Sequence, residues 1–353
     1  MMVYALVFLV SCFFAFLHDI FSFKENKIIK FVFMILSAAS LFFIEAKRDE
    51  VGADYVLYKN EFNYINSGHG YVHSDVGFQV LNKLVACMGL GYHGLFTILA
   101  LLLVSGVYAM AASLSLPLFP VVYLFIFSFN YLQSFSLIAQ YTAISFLCFG
   151  FACLFCNKKV FAIFLFFLAG LLHSSAFIFL CFVILYFLLQ NSKRPYRLCT
   201  ICLISVCGLS VLGSKFIPVL LAKTRFAVYY THDNTALNST SLLVINAFVF
   251  LMMALICVME TSVRRDIVFM LFFVIQCVGF ISSLLQSSVP LMVRMVMYFS
   301  FFQIYAIPYS INKIAEKSVR YTFYLVVFVA FLLWFIIFPI SGNYYEILPY
   351  KMY

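Results

Sequence analysis

Charged residues are scarce in this sequence. Only 10% of its 353 residues are Asp, Glu, Lys or Arg, whereas 65% are hydrophobic, and the mean hydropathy is +1.08. A soluble globular domain is about half apolar and about a quarter charged. So few charges cannot cover the surface of a 40.5 kDa globule, which excludes a soluble enzyme, a disordered chain and a nucleic-acid-binding protein despite the net charge of +9. The composition predicts an all-α, polytopic integral membrane protein.

Motifs for binding metals, nucleotides or dinucleotides are also missing. There is no HExxH, no DxD, no clustered His pair on a helix, and no Walker loop or Rossmann glycine pattern. The eleven cysteines lie almost all in or beside apolar runs. Neither CxxC pair, Cys153/Cys156 or Cys199/Cys202, has a companion pair of ligands. We therefore expect no metal and no cofactor.

Polar breaks divide the chain into twelve apolar runs. At about 20 residues per crossing, the apolar content allows about 10 to 12 transmembrane helices. The first run lacks a basic n-region and a small-x-small cleavage site, so it is expected to be a span rather than a signal peptide. The runs cover residues 2–17, 31–44, 94–112, 117–132, 137–156, 160–172, 174–190, 198–213, 242–259, 267–285, 291–309 and 321–338.

The distribution of basic residues favours one orientation of these spans. If the basic linkers lie inside, the inner side carries 13 basic and 5 acidic residues, and the outer side carries eight of each. This arrangement places both termini outside and accounts for the net charge without an anionic partner. It predicts a single membrane domain over residues 1–353 with two large outer loops, 45–93 and 214–241.

Two ionisable residues inside or between apolar runs are candidates for function. Arg294 follows Pro290 by four residues, which places it about one helical turn below the outer surface; the alternative is an arginine that snorkels to the headgroups. His173 lies midway through a long apolar stretch. One helix of about 30 residues would be about 45 Å long, too long for a bilayer core of about 30 Å. We therefore expect two short spans that meet at His173, whose imidazole is either a general base or a turn residue bonded to a carbonyl.

The two predicted outer loops add charged and aromatic residues on the same side. Asp54 and Tyr58 would share a helical face at i,i+4, although tyrosine at a membrane edge is also typical of the aromatic belt. Residues 77–88 predict an amphipathic helix in the interface, with Phe78, Leu81, Leu84/Val85 and Met88 on its apolar face. The other candidates in these loops are Arg48, Tyr55, Asp75, Lys215, Lys223 and Arg225.

Four patches resemble the EpsG-type family of O-antigen and exopolysaccharide polymerases. Residues 48–58 resemble an R…G-x-D-Y-x-x-Y pattern at the start of the first large outer loop, and residues 75–78 resemble an acidic-x-Gly-aromatic step. Residues 169–176 are similar to an A-x-x-x-H-x-S-A patch that contains His173. The last patch resembles a late R-x-x-x-Y…P span and consists of Arg294, Tyr298 and Pro308.

The chain departs from the family pattern at one position. The family often has an Arg-Gln pair at the start of a middle span, whereas this chain has Ala139 before Gln140. One cationic contact is therefore lost, or another residue supplies it; the candidates for this are Lys215, Lys223 and Arg225.

The resemblance implies a polysaccharide polymerase in the bacterial inner membrane, possessing an all-α, GT-C-like bundle. Such an enzyme transfers an undecaprenyl-diphosphate-linked glycan onto the terminal sugar of another lipid-linked repeat unit at the outer face, without a metal. A chain-length regulator is a candidate partner. The implied catalytic residues are His173, Arg294 and Asp54, with His173 favoured over Asp54 as the base. The implied substrate-binding residues are Arg48, Tyr55, Tyr58, Asp75, Gln140, Arg225 and Tyr298.

Other classes of membrane protein fit the composition less well. A lipid-linked-oligosaccharide flippase or transporter would be expected to line a deep cavity with charges and to show a relation between its two halves, and no repeat is visible. A polysaccharide acyltransferase would take its acyl donor from the inside, where the chain offers only His18. A channel or structural protein would not explain the two charged, aromatic loops.

Overall fold

The computed structural model describes residues 2–22, 27–68, 75–221, 239–286, 289 and 292–353. Within these ranges the secondary structure is helical, apart from an isolated β-bridge between Arg48 and Met352. The predicted all-α class is confirmed. The α-helices are α1 (Met2–Ser22), α2 (Lys27–Lys47), α3 (Tyr55–Asn66), α4 (Val76–Cys87), α5 (Tyr92–Ser113), α6 (Leu118–Phe127), α7 (Asn130–Gln133), α8 (Ile138–Phe155), α9 (Lys159–Leu172), α10 (Phe179–Asn191), α11 (Pro195–Leu221), α12 (Ser239–Met259), α13 (Ile267–Leu285), α14 (Met292–Phe301), α15 (Gln303–Ile311) and α16 (Lys317–Phe335).

Eight helical stretches in the described part of the chain are long and apolar enough to cross a membrane. They confirm a multi-pass membrane protein. Shorter apolar helices fall on other predicted runs: α9, for example, has 14 residues and would be about 21 Å long, less than a bilayer core of about 30 Å. The count of about twelve spans and the GT-C-like fold stay predictions. The eight stretches are Met2–Phe21, Lys27–Lys47, Tyr92–Ser113, Ile138–Phe155, Ser174–Asn191, Thr240–Met259, Ile267–Leu285 and Lys317–Ile340.

The chain divides into two compact units. Unit 1 comprises residues 1–181 and 343–353, and unit 2 comprises residues 182–342. In unit 1, α1 packs on α2, α2 on α5, α5 on α8 and α8 on α9, and α6 packs on α1. Helices α1 and α2 are joined by Ser11 and Ser37, each of which donates to the carbonyl of the other at 3.0 and 2.8 Å. Small hydroxyl residues of this kind let helices approach closely in lipid.

The first predicted outer loop is largely helical where it is described. Helices α3 and α4 pack on each other and on α5, and α4 also packs on α9. Helix α4 corresponds to the predicted amphipathic helix, and its buried residues are Phe78, Asn82 and Val85. Leu84 and Met88, which the sequence places on the same apolar face as Phe78, are exposed. The position of this helix in the membrane interface stays a prediction.

The last residues of the chain return to unit 1, and we call residues 343–353 the C-terminal strap. The hydroxyl of Tyr4 donates to the Ile347 carbonyl at 3.0 Å, and the N–H of Tyr353 donates to the Lys47 carbonyl at 3.2 Å. The start of α1, the end of α2 and the strap therefore lie at one end of unit 1. This common position is the one expected if both termini and the first loop share a side of the membrane.

Unit 2 is built around α13, which packs on α11, α12, α14 and α15. At its centre the Gln303 side-chain amide donates to Asn246 Oδ1 at 2.9 Å and to Gln276 Oε1 at 3.0 Å. Gln276 Nε2 donates to the Asn246 carbonyl at 3.0 Å. Buried amides in an apolar bundle are costly unless they are hydrogen-bonded, so this cluster fixes α12, α13 and α15 in one register.

Candidate active site

His173 lies where one helix ends and the next begins. Helix α9 ends at Leu172, His173 has an extended backbone with φ −152° and ψ 112°, and a 3₁₀ turn follows over Ser174–Ile178. The long apolar stretch is therefore interrupted at His173, where the sequence predicts the break. The imidazole Nδ1 lies 3.1 Å from Oδ2 of Asp75, and the two side chains are 20% and 25% exposed.

Asp75 comes directly before α4 but makes no side-chain hydrogen bond to that helix. Its carboxylate instead accepts from the N–H of Ser174 at 2.9 Å, in addition to its contact with His173. The approach of α4 to the end of α9 depends on Gly77, since a Cβ there would lie 2.6 Å from the carbon and the oxygen of the Leu171 carbonyl. Glycine at this position therefore allows the Asp75–His173 pair to form.

The electrostatics of the pair suit an oriented base. Partial burial raises the pKa of the Asp75 carboxyl, but hydrogen bonds from His173 and from the Ser174 N–H favour the charged form, so the pKa of Asp75 lies below its usual value. An ionised carboxylate beside Nδ1 holds the ring hydrogen on that nitrogen, which makes Nε2 the basic nitrogen. An imidazole held in one tautomer and orientation can accept a proton from a hydroxyl.

The start of the first predicted outer loop is built on the turn before α8. Gly52 has φ +108°, and a Cβ at this position would overlap the Phe135 carbonyl, so both the conformation and the space require glycine. The Ala53 N–H donates to Ser136 Oγ at 2.9 Å, and the Ala139 N–H donates to the Tyr58 hydroxyl at 3.4 Å. The loop and the first turn of α8 therefore lie side by side.

Several predicted catalytic and substrate-binding residues meet at this junction. Asp54 is partly exposed at the N-cap position of α3, and Tyr55 is buried, its hydroxyl donating to Asp49 Oδ1 at 3.0 Å. Gln140 is buried in the first turn of α8. The Tyr58 ring packs edge-on against Phe78 of α4, with centroids 5.6 Å apart. This contact links the junction to the helix that follows Asp75.

Arg48 supports the loop from inside unit 1. Its side chain is 2% exposed, and its guanidinium lies over the rings of Phe96 and Phe135, 5.3 and 4.7 Å from their centroids. Its Nη1 donates to the Glu45 carbonyl at 2.7 Å. Glu45 is itself buried, and its carboxylate accepts from Ser134 Oγ at 3.1 Å. In this arrangement Arg48 holds the loop start in place rather than presenting a cation at the surface.

The remaining predicted site residues belong to unit 2. Arg294 is exposed in the first turn of α14, and Tyr298 lies one turn later with a buried side chain. A break at Phe302 separates α14 from α15, so the predicted apolar run 291–309 is not one continuous helix. Arg225 lies outside the described residues, as does Lys223.

Sequence reasoning missed Glu45, Ser136 and Tyr345. Glu45 is an ionisable residue at the end of an apolar run, so the rule that singled out Arg294 would also have found it. Ser136 and Tyr345 gave no such signal. They are joined by a hydrogen bond between positions 209 apart in the chain. No local sequence pattern predicts a contact between residues so far apart.

The fold and the site first define a class: a multi-pass, all-α membrane protein with a carboxylate-oriented histidine at a helix break beside a helical loop. Comparison with known proteins then gives the family. The model of the EpsG family matches residues 30–352, and the chain belongs to this family. Neither a curated protein nor a solved structure matches the chain. The resemblance carried by the four sequence patches is confirmed, and membership of this family indicates a polymerase-like role in polysaccharide assembly at a membrane.

Proposed function

We propose that this protein is a polysaccharide polymerase that joins lipid-linked repeat units at the outer face of the bacterial inner membrane. The observation that carries the proposal is the Asp75–His173 pair, 3.1 Å apart in a member of the EpsG family. The donor is a glycan on undecaprenyl diphosphate, and the acceptor is the terminal sugar of another lipid-linked unit. The product serves as O-antigen of lipopolysaccharide or as exopolysaccharide.

The proposed reaction is a glycosyl transfer with a diphosphate leaving group. The acceptor hydroxyl oxygen forms a bond to the anomeric carbon of the donor, while the bond between that carbon and the phosphate oxygen breaks with its electron pair. His173 Nε2 takes the hydroxyl proton, and Asp75 stabilises the resulting imidazolium. Undecaprenyl diphosphate leaves with the negative charge. The activated donor supplies the driving force, so the proposal needs neither ATP nor a metal.

Arg294 is proposed to hold the diphosphate. A guanidinium keeps its charge and binds phosphate oxygens in a bidentate manner. The support for this role is its exposed position in the first turn of α14 and its place near the outer surface in the predicted topology. A helix N-terminus also favours a negative group.

The acceptor glycan is proposed to bind at the junction of α3 and α8. Asp54, Tyr58 and Gln140 lie there, and a carboxylate, a phenol and an amide are groups that bind sugar hydroxyls. Asp54 orients the acceptor in this scheme, and His173 is the base. A partner that sets chain length and a GT-C-like arrangement of the helices are further expectations of the proposal.

The test is deletion of the gene in its host, followed by gel analysis of the surface polysaccharide. The proposal expects the ladder to disappear while a single repeat unit remains attached to its anchor. Loss of even the single repeat would contradict the proposal and indicate a flippase. An intact ladder with altered substituents would contradict it too, and would indicate an acyltransferase.

A further inference from the structure

The C-terminal strap covers the start of the first predicted outer loop along most of its length. Backbone hydrogen bonds run from Asp49 N to the Lys351 carbonyl at 3.0 Å, from Gly52 N to the Glu346 carbonyl at 3.3 Å, and from Ala53 N to the Tyr345 carbonyl at 2.8 Å. The isolated bridge between Arg48 and Met352 belongs to the same contact. The backbone that leads into Asp54 is therefore held by the far end of the chain.

Ser136 connects this contact to α8. Its hydroxyl donates to the Tyr345 carbonyl at 3.1 Å and accepts from the Ala53 N–H at 2.9 Å. Ser136 is fully buried and lies just before the turn of α8 that contains Gln140. One hydroxyl therefore joins the strap, the loop and the helix that carry the proposed acceptor site.

The strap has an unfavourable backbone conformation around Tyr345. Asn343, Tyr345 and Glu346 have φ values of 44°, 62° and 53°, a region that residues other than glycine seldom adopt. Such conformations persist only where the surrounding contacts determine them, and they cluster at functional sites. At Tyr345 those contacts include the Gln133 side-chain amide, which donates to the tyrosine hydroxyl at 3.2 Å.

We propose that Ser136 and Tyr345 are positioning residues of the polymerase. Through them the C-terminal strap fixes residues 52–58 against the first turn of α8 and sets the spacing of Asp54, Tyr58 and Gln140 at which the acceptor binds. This inference rests on the proposed function. The family model extends to residue 352, so the region that defines the family includes nearly all of the strap.

The first test measures polymerisation by the purified full-length protein in detergent. The probe is the lipid-linked repeat unit extracted from a host strain that lacks the gene. Ser136→Ala and Tyr345→Phe are expected to raise KM for this unit about five-fold, the effect of one lost hydrogen bond. The pH dependence of kcat should stay unchanged, since the His173–Asp75 pair is intact. Tyr344→Phe is the matched control, because the Tyr344 hydroxyl takes part in none of these contacts, and its KM should equal that of the wild type.

The second test measures the strap without an activity assay. Arg48 is 2% exposed beneath the strap, so tryptic cleavage after Arg48 reports release of this segment. Ser136→Ala and Tyr345→Phe should be cleaved faster than the wild type, and Tyr344→Phe should not. Wild-type KM values in the first two variants would overturn the positioning role, whatever the cleavage rate. If the two variants are cleaved faster but even the wild type never extends the lipid-linked unit, the strap contact is supported and the proposed function is overturned.

Discussion

Two histidine–aspartate pairs lie among the described residues of unit 1, at opposite ends of the unit. His18 and Asp19 are at the end of α1 that is far from Tyr4 and the C-terminal strap. His173 and Asp75 lie beside the helical loop at the other end. The distances within the pairs are similar, 2.8 Å for the first and 3.1 Å for the second.

The partners of the two carboxylates differ. Both oxygens of Asp19 accept backbone N–H groups at the start of α6, from Leu118 at 2.7 Å and Phe119 at 2.8 Å. That is a helix cap supplied from another helix. Asp75 accepts one backbone N–H, holds the imidazole with the same oxygen and leaves its own helix uncapped.

The exposure of the two histidines differs as well. The His18 side chain is 9% exposed and the His173 side chain is 20% exposed. A carboxylate beside an imidazole is therefore not in itself a catalytic pair. The Asp19 carboxylate caps a helix and so stabilises the fold. The Asp75 carboxylate orients the imidazole of His173 at an accessible helix break, where the ring can act as a base.

Substitution of the two histidines is expected to give the largest difference in polymerisation. His173→Ala should lower polymerisation by about 100-fold to 10,000-fold, because a general base is lost. His18→Ala should leave the polysaccharide ladder as in the wild type. Gels of a deletion strain complemented with each variant at equal protein abundance check this. A normal ladder from His173→Ala would remove the histidine from the mechanism.

Asp75→Asn is expected to lower kcat by about ten-fold or more, because the neutral amide that replaces the carboxylate does not stabilise the imidazolium of His173. The pKa of Asp75 is depressed by its contacts, so their stabilising effect is present above the ordinary carboxyl pKa of about 3.9 and is lost as the pH falls through the lower folded-state value. The melting temperatures of wild type and Asp75→Asn should therefore differ at pH 7 and converge in strong acid. A variant with wild-type kcat would argue against the pair.

Gly77→Ala should have an intermediate effect, because it pushes α4 away from the end of α9 without removing either member of the pair. The added Cβ would lie 2.6 Å from the Leu171 carbonyl, and overpacking of this kind costs about 1–3 kcal/mol. Both the melting temperature and kcat should fall. Gly91→Ala is the control, since a Cβ there meets nothing within 4 Å; equal behaviour of the two variants would contradict the account.

Substitution within the His18–Asp19 pair is expected to change stability only slightly. Asp19→Ala removes the cap of α6 and should cost about 1 kcal/mol of stability, with the polysaccharide ladder unchanged. Thermal unfolding of the purified variant and a gel of the complemented strain measure the two properties. A lost ladder in a stable, abundant Asp19→Ala protein would mean that the His18–Asp19 pair also takes part in function.

The sequence allowed the helices and the histidine to be predicted, but not their contacts. The break at His173 follows from a run too long for one crossing, and Gly52 and Gly77 belong to patches that marked the family. The pairing of Asp75 with His173 depends on how α4 packs on α9. Burial of Arg48 was not foreseen, because a cation next to a span is expected to reach the surface.

The predicted site residues of unit 2 differ in exposure. Arg294 is exposed, as a phosphate-binding residue must be, and Tyr298 is buried, which suits a packing role within unit 2. Arg225 and most of the loop 214–241 lie outside the described residues. The role proposed for Arg225 therefore rests on the sequence resemblance, and the role proposed for Arg294 rests on that resemblance together with its exposed position in α14.

The most direct test of the central claim is a transfer assay with the purified protein and the lipid-linked repeat unit from the deletion strain. This mechanism predicts that the wild type extends the unit into a ladder and releases undecaprenyl diphosphate, and that His173→Ala does neither although it purifies as a folded protein. Extension by His173→Ala at the wild-type rate would contradict it.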